Sequence, residues 1–192
     1  MNLTMRQAWI SIRLLIVMTV VLGVVYPLAV FAVGRIVPSI SNGSYVSNAA
    51  GAVVGSSLIG QAFEGERWFQ PRPSAAGDGY DALSSSGSNL GPNNPDLVDA
   101  VAERLAAAAA ADGVSPDAVP ADAVTASGSG LDPDISPEYA REQATRVAAA
   151  RGLDPALVSA LVESMVQGRT LGFIGEPRVN VLQLNIALEK LG

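Results

Sequence analysis

Residues 124–140, VTASGSGLDPDISPEYA, hold the residue types closest to a ligand cradle. Ser127, Gly128, Ser129 and Gly130 spell SGSG, then come Asp-Pro and a Ser-Pro pair that opens a helix. Glycine lets backbone amides approach an anion, and a helix N-terminus offers unbonded N–H groups. Gln143, two turns into that helix, is in reach of a base or ribose. Asp132, Asp134 and Glu138 stand against a phosphate here, and no Lys or Arg lies between Arg104 and Arg141. Like charges repel. Two readings stand, a shaped turn and a nucleotide contact, and the charges favour the turn.

Other chemistry is sparse. The 192 residues include no cysteine and no histidine. That removes the usual zinc ligands, a thiol nucleophile, a Ser-His-Asp arrangement and any disulfide. There is no GxxxxGK[ST] to cradle triphosphate and no DKTG to form an aspartyl-phosphate. The single lysine is Lys190. An anchored enzyme would need acid–base or nucleophilic groups that this sequence does not supply. No metal site is expected. Arg72, in RPSA, reads either as an anchor pairing with a carboxylate or carbonyls, or as a solvated side chain. Asn89, Asn93 and Asn94 read as residues that satisfy turn backbone.

Positioning begins with the stretch between Arg13 and Arg35. LLIVMTVVLGVVYPLAVFAVG, residues 14–34, carries no charge. As a helix it reaches about 30 Å, the hydrocarbon thickness of a bilayer. A cleaved signal peptide is the competing reading, but its apolar region runs about 7–15 residues and ends at a small-residue site. Pro27 removes a donor, predicts a kink, and frees a carbonyl that needs a partner in lipid. Gly23, Tyr26 and Pro27 are therefore candidates for packing against other helices, with a lone anchor as the alternative. Arg6, Arg13 and the terminal amine precede the span and Arg35 follows it. By the positive-inside rule residues 1–13 are cytoplasmic and 35–192 extracytoplasmic.

After Arg35 come nine basic and all eighteen acidic residues. Such a surface argues against nucleic acid or anionic lipid as its partner. Residues 37–50 read as a connecting loop. SYV and AVVGSSLIG flank Asn-Ala-Ala-Gly and predict a hairpin. Residues 67–97 are dense in turn formers yet contain Trp68, Phe69 and Tyr80, which predicts an ordered irregular loop with its aromatics pinned. A flexible linker is the alternative. Helices follow at 95–112, with Leu97, Val98, Val101 and Leu105 as the stripe, then from the Ser136 cap to Gly152, from Asp154 to Gly168, and over 179–191 before Gly192. On the last, Leu182, Ile186 and Leu188 mark the inner side. The fold class is α+β: one N-terminal transmembrane helix, then a soluble domain with a small β-sheet or hairpin, a long ordered loop and several short helices.

YPL in the anchor, GSSLIGQAF, RPSA, GSNLGPNNPDL, VTASGSGLDP, RVAAARGL and LGFIGEPRVNVLQLNIALEKLG occur in this order. The set resembles the C subunit of the Kdp-type potassium-transporting ATPase. The resemblance implies a single-span accessory subunit of a bacterial plasma-membrane potassium importer. Its partners would be a channel-like subunit that selects potassium and a P-type subunit that hydrolyses ATP. It implies no cofactor bound by this chain alone, with ATP reached only together with the ATPase subunit, whose ATP affinity it would raise as a catalytic chaperone. The family proposal places Ser127–Gly130 and Gln143 at the nucleotide. Beside the turn reading of Asn89, Asn93 and Asn94, a sharper one makes them a lip facing the ion entrance; Asn89, Asn93 and Arg72 are candidates for the partner interface. This chain departs at Asp134, where the family often has His or Asn.

Overall fold

The computed structural model describes residues 3–191. Helix α1, Leu3–Ile36, is long and apolar enough to cross a membrane by length and composition, and none of its apolar window is buried. Pro27 has no N–H to give. The helix meets this by widening rather than breaking: Val21–Val25 is a π turn, and the Tyr26 N–H donates to the Val21 carbonyl five residues back. The Leu22 carbonyl thus loses its Tyr26 donor to Val21, and Gly23 faces a proline. The short α2, Pro38–Ser41, follows, with Ser41 Oγ donating to Gly34 O at 2.7 Å. The chain parts into two compact units between Ser44 and Tyr45.

In the second unit β1, Tyr45–Ser47, pairs antiparallel with β2, Val53–Ser56, with Tyr45 opposite Ser56 and a register shift after Val46. The expected turn is present. Asn48 Oδ1 accepts from the N–H groups of Ala50 and Ala52 at 3.1 and 3.0 Å, an Asx-type closure. Helix α3, Pro95–Asp112, starts on Asn94, whose Oδ1 accepts from Asp96 N–H at 2.8 Å. It buries the i, i+4, i+8, i+12 row, with Leu97, Val101 and Leu105 half-buried and Ala109 buried. Val98 lies off this row and is 57% exposed, so it leaves the predicted stripe.

Then come α4, Ala121–Val124, β3, Asp134–Ile135, α5, Pro137–Arg151, α6, Pro155–Met165, β4, Val179–Asn180, and α7, Val181–Glu189. Ser136 and Asp154 cap α5 and α6 as expected, accepting from Tyr139 N–H at 3.0 Å and Ala156 N–H at 2.8 Å. Two boundaries differ from expectation. Helix α6 ends at Met165 rather than Gly168, because Gln167 and Arg178 exchange both backbone hydrogen bonds, at 2.8 and 3.0 Å. The last helix starts at Val181, because Val179 and Asn180 pair with Ile135 and Asp134. Asn180 then caps α7, accepting from Gln183 N–H at 3.1 Å. Gly192 lies outside the described residues. Two antiparallel two-stranded sheets among short helices make the class α+β, as read from the sequence.

The core sits between α5, α6 and α7. Ala140, Ala144, Val147 and Ala148 of α5 are buried at helical spacing, and small side chains let α6 approach with Val158 and Val162. Of the last helix's expected inner residues, Leu182 and Leu188 are buried, Ile186 only partly, and Leu184 and Asn185 take its place. Phe69, from the long loop, is fully buried in the same core.

One ion pair is sealed within the second unit. Arg146 Nε meets Asp112 Oδ1 at 2.6 Å, with side-chain exposures of 7% and 3%. Beside it, Glu142 Oε1 is buried without a hydrogen-bond partner among the described residues. Desolvation, then the charges of Asp112 and Asp122, push its carboxyl up from 4.5 to about 7.

Two outcomes follow from this cluster. Arg146→Ala strands a buried carboxylate and should lower stability by about 3–5 kcal/mol, while the double Arg146→Met, Asp112→Leu recovers part of it. Chemical unfolding of the full chain in detergent measures this, and a loss under about 1 kcal/mol would mean the pair is screened by water. Glu142 binds its proton more tightly folded than unfolded. Its contribution is therefore full below about pH 4.5 and lost as pH rises through about 7. Glu142→Gln should flatten that decline in a melting-temperature series, and an unchanged slope would refute the assignment.

Candidate functional site

The irregular loop is held by side-chain amides acting as strand neighbours. Asn185 Oδ1 accepts from Phe69 N–H at 2.9 Å and its Nδ2 donates to Phe69 O at 3.0 Å. One residue on, Gln143 Oε1 accepts from Gln70 N–H at 2.6 Å and its Nε2 donates to Gln70 O at 3.1 Å. An amide carries a donor and an acceptor side by side, which is what a peptide unit presents. Gln143 and Asn185 are 0% and 1% exposed. Arg146 adds bonds to Glu66 O at 2.6 Å, Trp68 O at 3.1 Å and Gln143 Oε1 at 2.8 Å. The Arg151 guanidinium lies 4.4 Å from the Trp68 ring centre, a cation–π contact, and donates to Arg67 O at 2.8 Å.

The SGSG corner is fastened to the other end of the same loop. Ser127 N–H donates to Pro73 O at 3.1 Å, Ser74 Oγ to Gly130 O at 2.6 Å, and Ser85 Oγ to Ser129 O at 2.9 Å. Gly130 N–H turns back to Ser127 O at 3.2 Å, and Leu131 N–H donates to Ser129 Oγ at 3.1 Å. Gly130 has φ 68°, and a Cβ there would lie 2.6 Å from Ala76 N and from Ser86 O. The position needs glycine for both reasons. As placed, these groups hold one another. A base reaching Gln143 would have to displace Gln70, while Gly128 and Ser129 are exposed.

Arg72 is an anchor. Its Nη1 pairs with Asp132 Oδ2 at 3.0 Å, its Nη2 donates to Thr125 O at 3.4 Å, and its carbonyl accepts from the Tyr80 hydroxyl. Burial pushes that phenol up to about 12. Asp134 pairs with Arg178 at 3.1 Å and accepts from Asn180 Nδ2 at 3.1 Å. Burial still holds its carboxyl above the usual range, against the pull of Asn180 and Arg178. Asp132 and Asp134, two of the three carboxylates that opposed a phosphate in the sequence, thus each have an arginine. They line a cleft of about 490 Å³ together with Asp122 and Glu176. Asp122 accepts from Ser136 N–H at 2.6 Å and Ser136 Oγ at 2.9 Å.

The remaining candidates are outward. Asn89, at φ 52°, and Asn93 are exposed, while the neighbouring Asn94 is the helix cap. In the first unit Gly23, Tyr26 and Pro27 sit at the π turn; Tyr26 is 62% exposed, and a Cβ on Gly23 would meet nothing within 4 Å. Arg146, Asp112, Asn180 and Asn185 were not singled out in the sequence. Asn185 had a signal: a lone amide within VLQLNIAL, on a face otherwise apolar, has to find partners. Arg146 had none, since its carboxylate lies on another helix.

Comparison with known proteins agrees with the motif order. Residues 8–190 match the family model of KdpC, described as the K+-transporting ATPase, c chain. A protein of Kineococcus radiotolerans named potassium-transporting ATPase KdpC subunit is 62% identical over 96% of this chain and 93% of its own length. Proteins of the same name from Beijerinckia indica and Mycobacterium bovis are 53% and 50% identical, each over at least 92% of both chains. The chain belongs to the KdpC family, the c chain of the K+-transporting ATPase.

Proposed function

We propose that this chain is a non-catalytic subunit of an ATP-driven potassium importer in a bacterial plasma membrane. Helix α1 crosses the bilayer once, with residues 1–13 cytoplasmic and the part from residue 35 onward outside. The channel-like subunit and the P-type ATPase subunit are its partners. Gly23, Tyr26 and Pro27 meet a neighbouring helix, because carbonyls short of donors in hydrocarbon need outside partners. Asn89 and Asn93 stand on a lip beside the ion entrance.

The observation that carries this reading is the apolar helix Leu3–Ile36, with none of its most apolar stretch buried, joined to a part with nine basic and eighteen acidic residues. The helix asks for lipid, and the flanking charge sets its direction. The acidic part enriches cations only within about 8–10 Å at ordinary salt. Its contribution is to assembly: a subunit shifts a pump's conformational populations only by binding one state better than another. Raised ATP affinity in the ATPase subunit is an effect of that kind. Direct contact with ATP would require Gln143 to release Gln70.

Two measurements test this. The chain has no cysteine, so Leu83→Cys, at a position 98% exposed, is a clean reporter. A membrane-impermeant maleimide should label it in intact spheroplasts, and labelling only after lysis would reverse the orientation. Gln143→Ala should destabilise the full chain by about 2–4 kcal/mol in the absence of ATP, because both backbone groups of the half-buried Gln70 lose their partners and a buried side chain is removed. An unchanged melting temperature with lost nucleotide response would favour direct ATP contact instead.

A further inference from the structure

The first two charged side chains of the sequence lie on one face of α1. Leu3–Val20 is regular α-helix. Arg6 and Arg13, seven residues apart, therefore point within about 20° of each other and stand about 10 Å apart along the axis. Trp9, three after Arg6 and four before Arg13, is a neighbour of both. The Arg13 guanidinium lies 5.3 Å from the Trp9 ring centre, a cation–π contact. Helical side chains lean toward the N-terminus, so this contact carries the Arg13 charge away from the uncharged run 14–34 and toward Arg6. Neither arginine is neutralised from within. The unit Met1–Ser44 contains no Asp or Glu, and the first carboxylate in the sequence is Glu64.

An apolar hollow adjoins this charge. Met5, Ala8, Trp9 and Ile12 line an open space of about 430 Å³. They recur at i, i+3, i+4 and i+7, one face of a helix, and the small Ala8 leaves room between its larger neighbours. Trp9 belongs to both features. The occupant follows from depth and charge. The 21 residues between Arg13 and Arg35 match the hydrocarbon core of a bilayer. Arg13 is then at the edge of that core, with Trp9 and Arg6 in the headgroup layer, where indole rings gather. The fixed anions of that layer are lipid phosphates, and a guanidinium meets phosphate oxygens in pairs. The hollow takes the apolar chain that such a phosphate carries.

We propose that Arg6, Trp9 and Arg13 form a headgroup site for one anionic phospholipid, whose acyl chain lies in the hollow of Met5, Ala8, Trp9 and Ile12. Placing that lipid in the cytoplasmic leaflet rests on the orientation given above; the site itself does not.

The test uses the full-length chain in phosphatidylcholine nanodiscs, with acyl-brominated phosphatidylglycerol or acyl-brominated phosphatidylcholine titrated in. Bromine quenches an indole at contact. The quenching lost in Trp9→Phe belongs to Trp9, since Trp68 is the other of the two tryptophans. Brominated phosphatidylglycerol should half-quench Trp9 at a mole fraction roughly tenfold or more below that of the brominated choline lipid. Arg6→Gln and Arg13→Gln should each raise that mole fraction roughly fivefold, the scale of one arginine at an anionic surface. Arg13→Lys keeps the charge but loses the planar fork and the stacking, and should raise it as well. Equal quenching by the two lipids would overturn the proposal. So would unaltered quenching in Arg13→Lys, which would mean diffuse attraction to the bilayer only. Nanodiscs expose both leaflets alike, so a reversed α1 would move the site to the outer leaflet and leave these results as they are. In the assembled complex, purified in mild detergent, the double Arg6→Gln, Arg13→Gln should lose anionic phospholipid that the unaltered complex retains. Unchanged lipid content would mean that an acidic segment of another subunit covers the arginines, and would overturn the proposal too.

Discussion

Two side-chain amides stand where a strand would be. Asn185 and Gln143 each give one donor and one acceptor to consecutive residues, Phe69 and Gln70. In a buried site such bonds are strong when complete and expensive when half-made. They fix the backbone of a loop that has no regular partner of its own, and in doing so deliver Phe69 to the core. Most of the second unit's architecture depends on that delivery: helices α5 and α7 supply the amides, and the loop supplies the aromatic that fills the space between them.

The same logic explains the arginines. Arg146 is buried against Asp112 and also gathers Glu66 O and Trp68 O. Arg72 gathers Asp132 and Thr125 O. A planar guanidinium can satisfy several carbonyls from one position, which an ammonium on a flexible stem does less well. A chain with a single lysine and many arginines is well supplied for bracing irregular backbone. The result is a braced scaffold whose polar groups face inward to each other, suited to presenting a fixed surface to a neighbour.

Local signals were legible in the sequence. Ser136 and Asp154, each followed by proline, mark two helix starts by their chemistry alone, and Gly113 and Gly152 mark two stops; Asn94, read as a turn residue, is a third cap. The hairpin turn and the pinned aromatics of the long loop were legible for the same reason. Long-range pairing was not. Nothing local tells that Val179 and Asn180 join Asp134 and Ile135, because 179–188 has helical apolar spacing throughout. The early end of α6 has the same origin in the Gln167–Arg178 pairing. At the candidate site, glycine and serine in SGSG suggested a cradle, and the geometry adds what composition cannot: which amides are already engaged. The amide of Gln143 is oriented by Gln70, a residue 73 positions away.

The π turn at Val21–Val25 also alters how α1 addresses its surroundings. A π turn holds about one residue more than an α turn, which rotates everything after it by about 100°. Side chains spaced by threes and fours on either side of Val21–Val25 therefore do not form one continuous seam. The segment Leu3–Val20 and the segment Tyr26–Ile36 look out in different azimuths, so a single straight helix cannot follow both. One rod is thereby able to hold two neighbours at different depths.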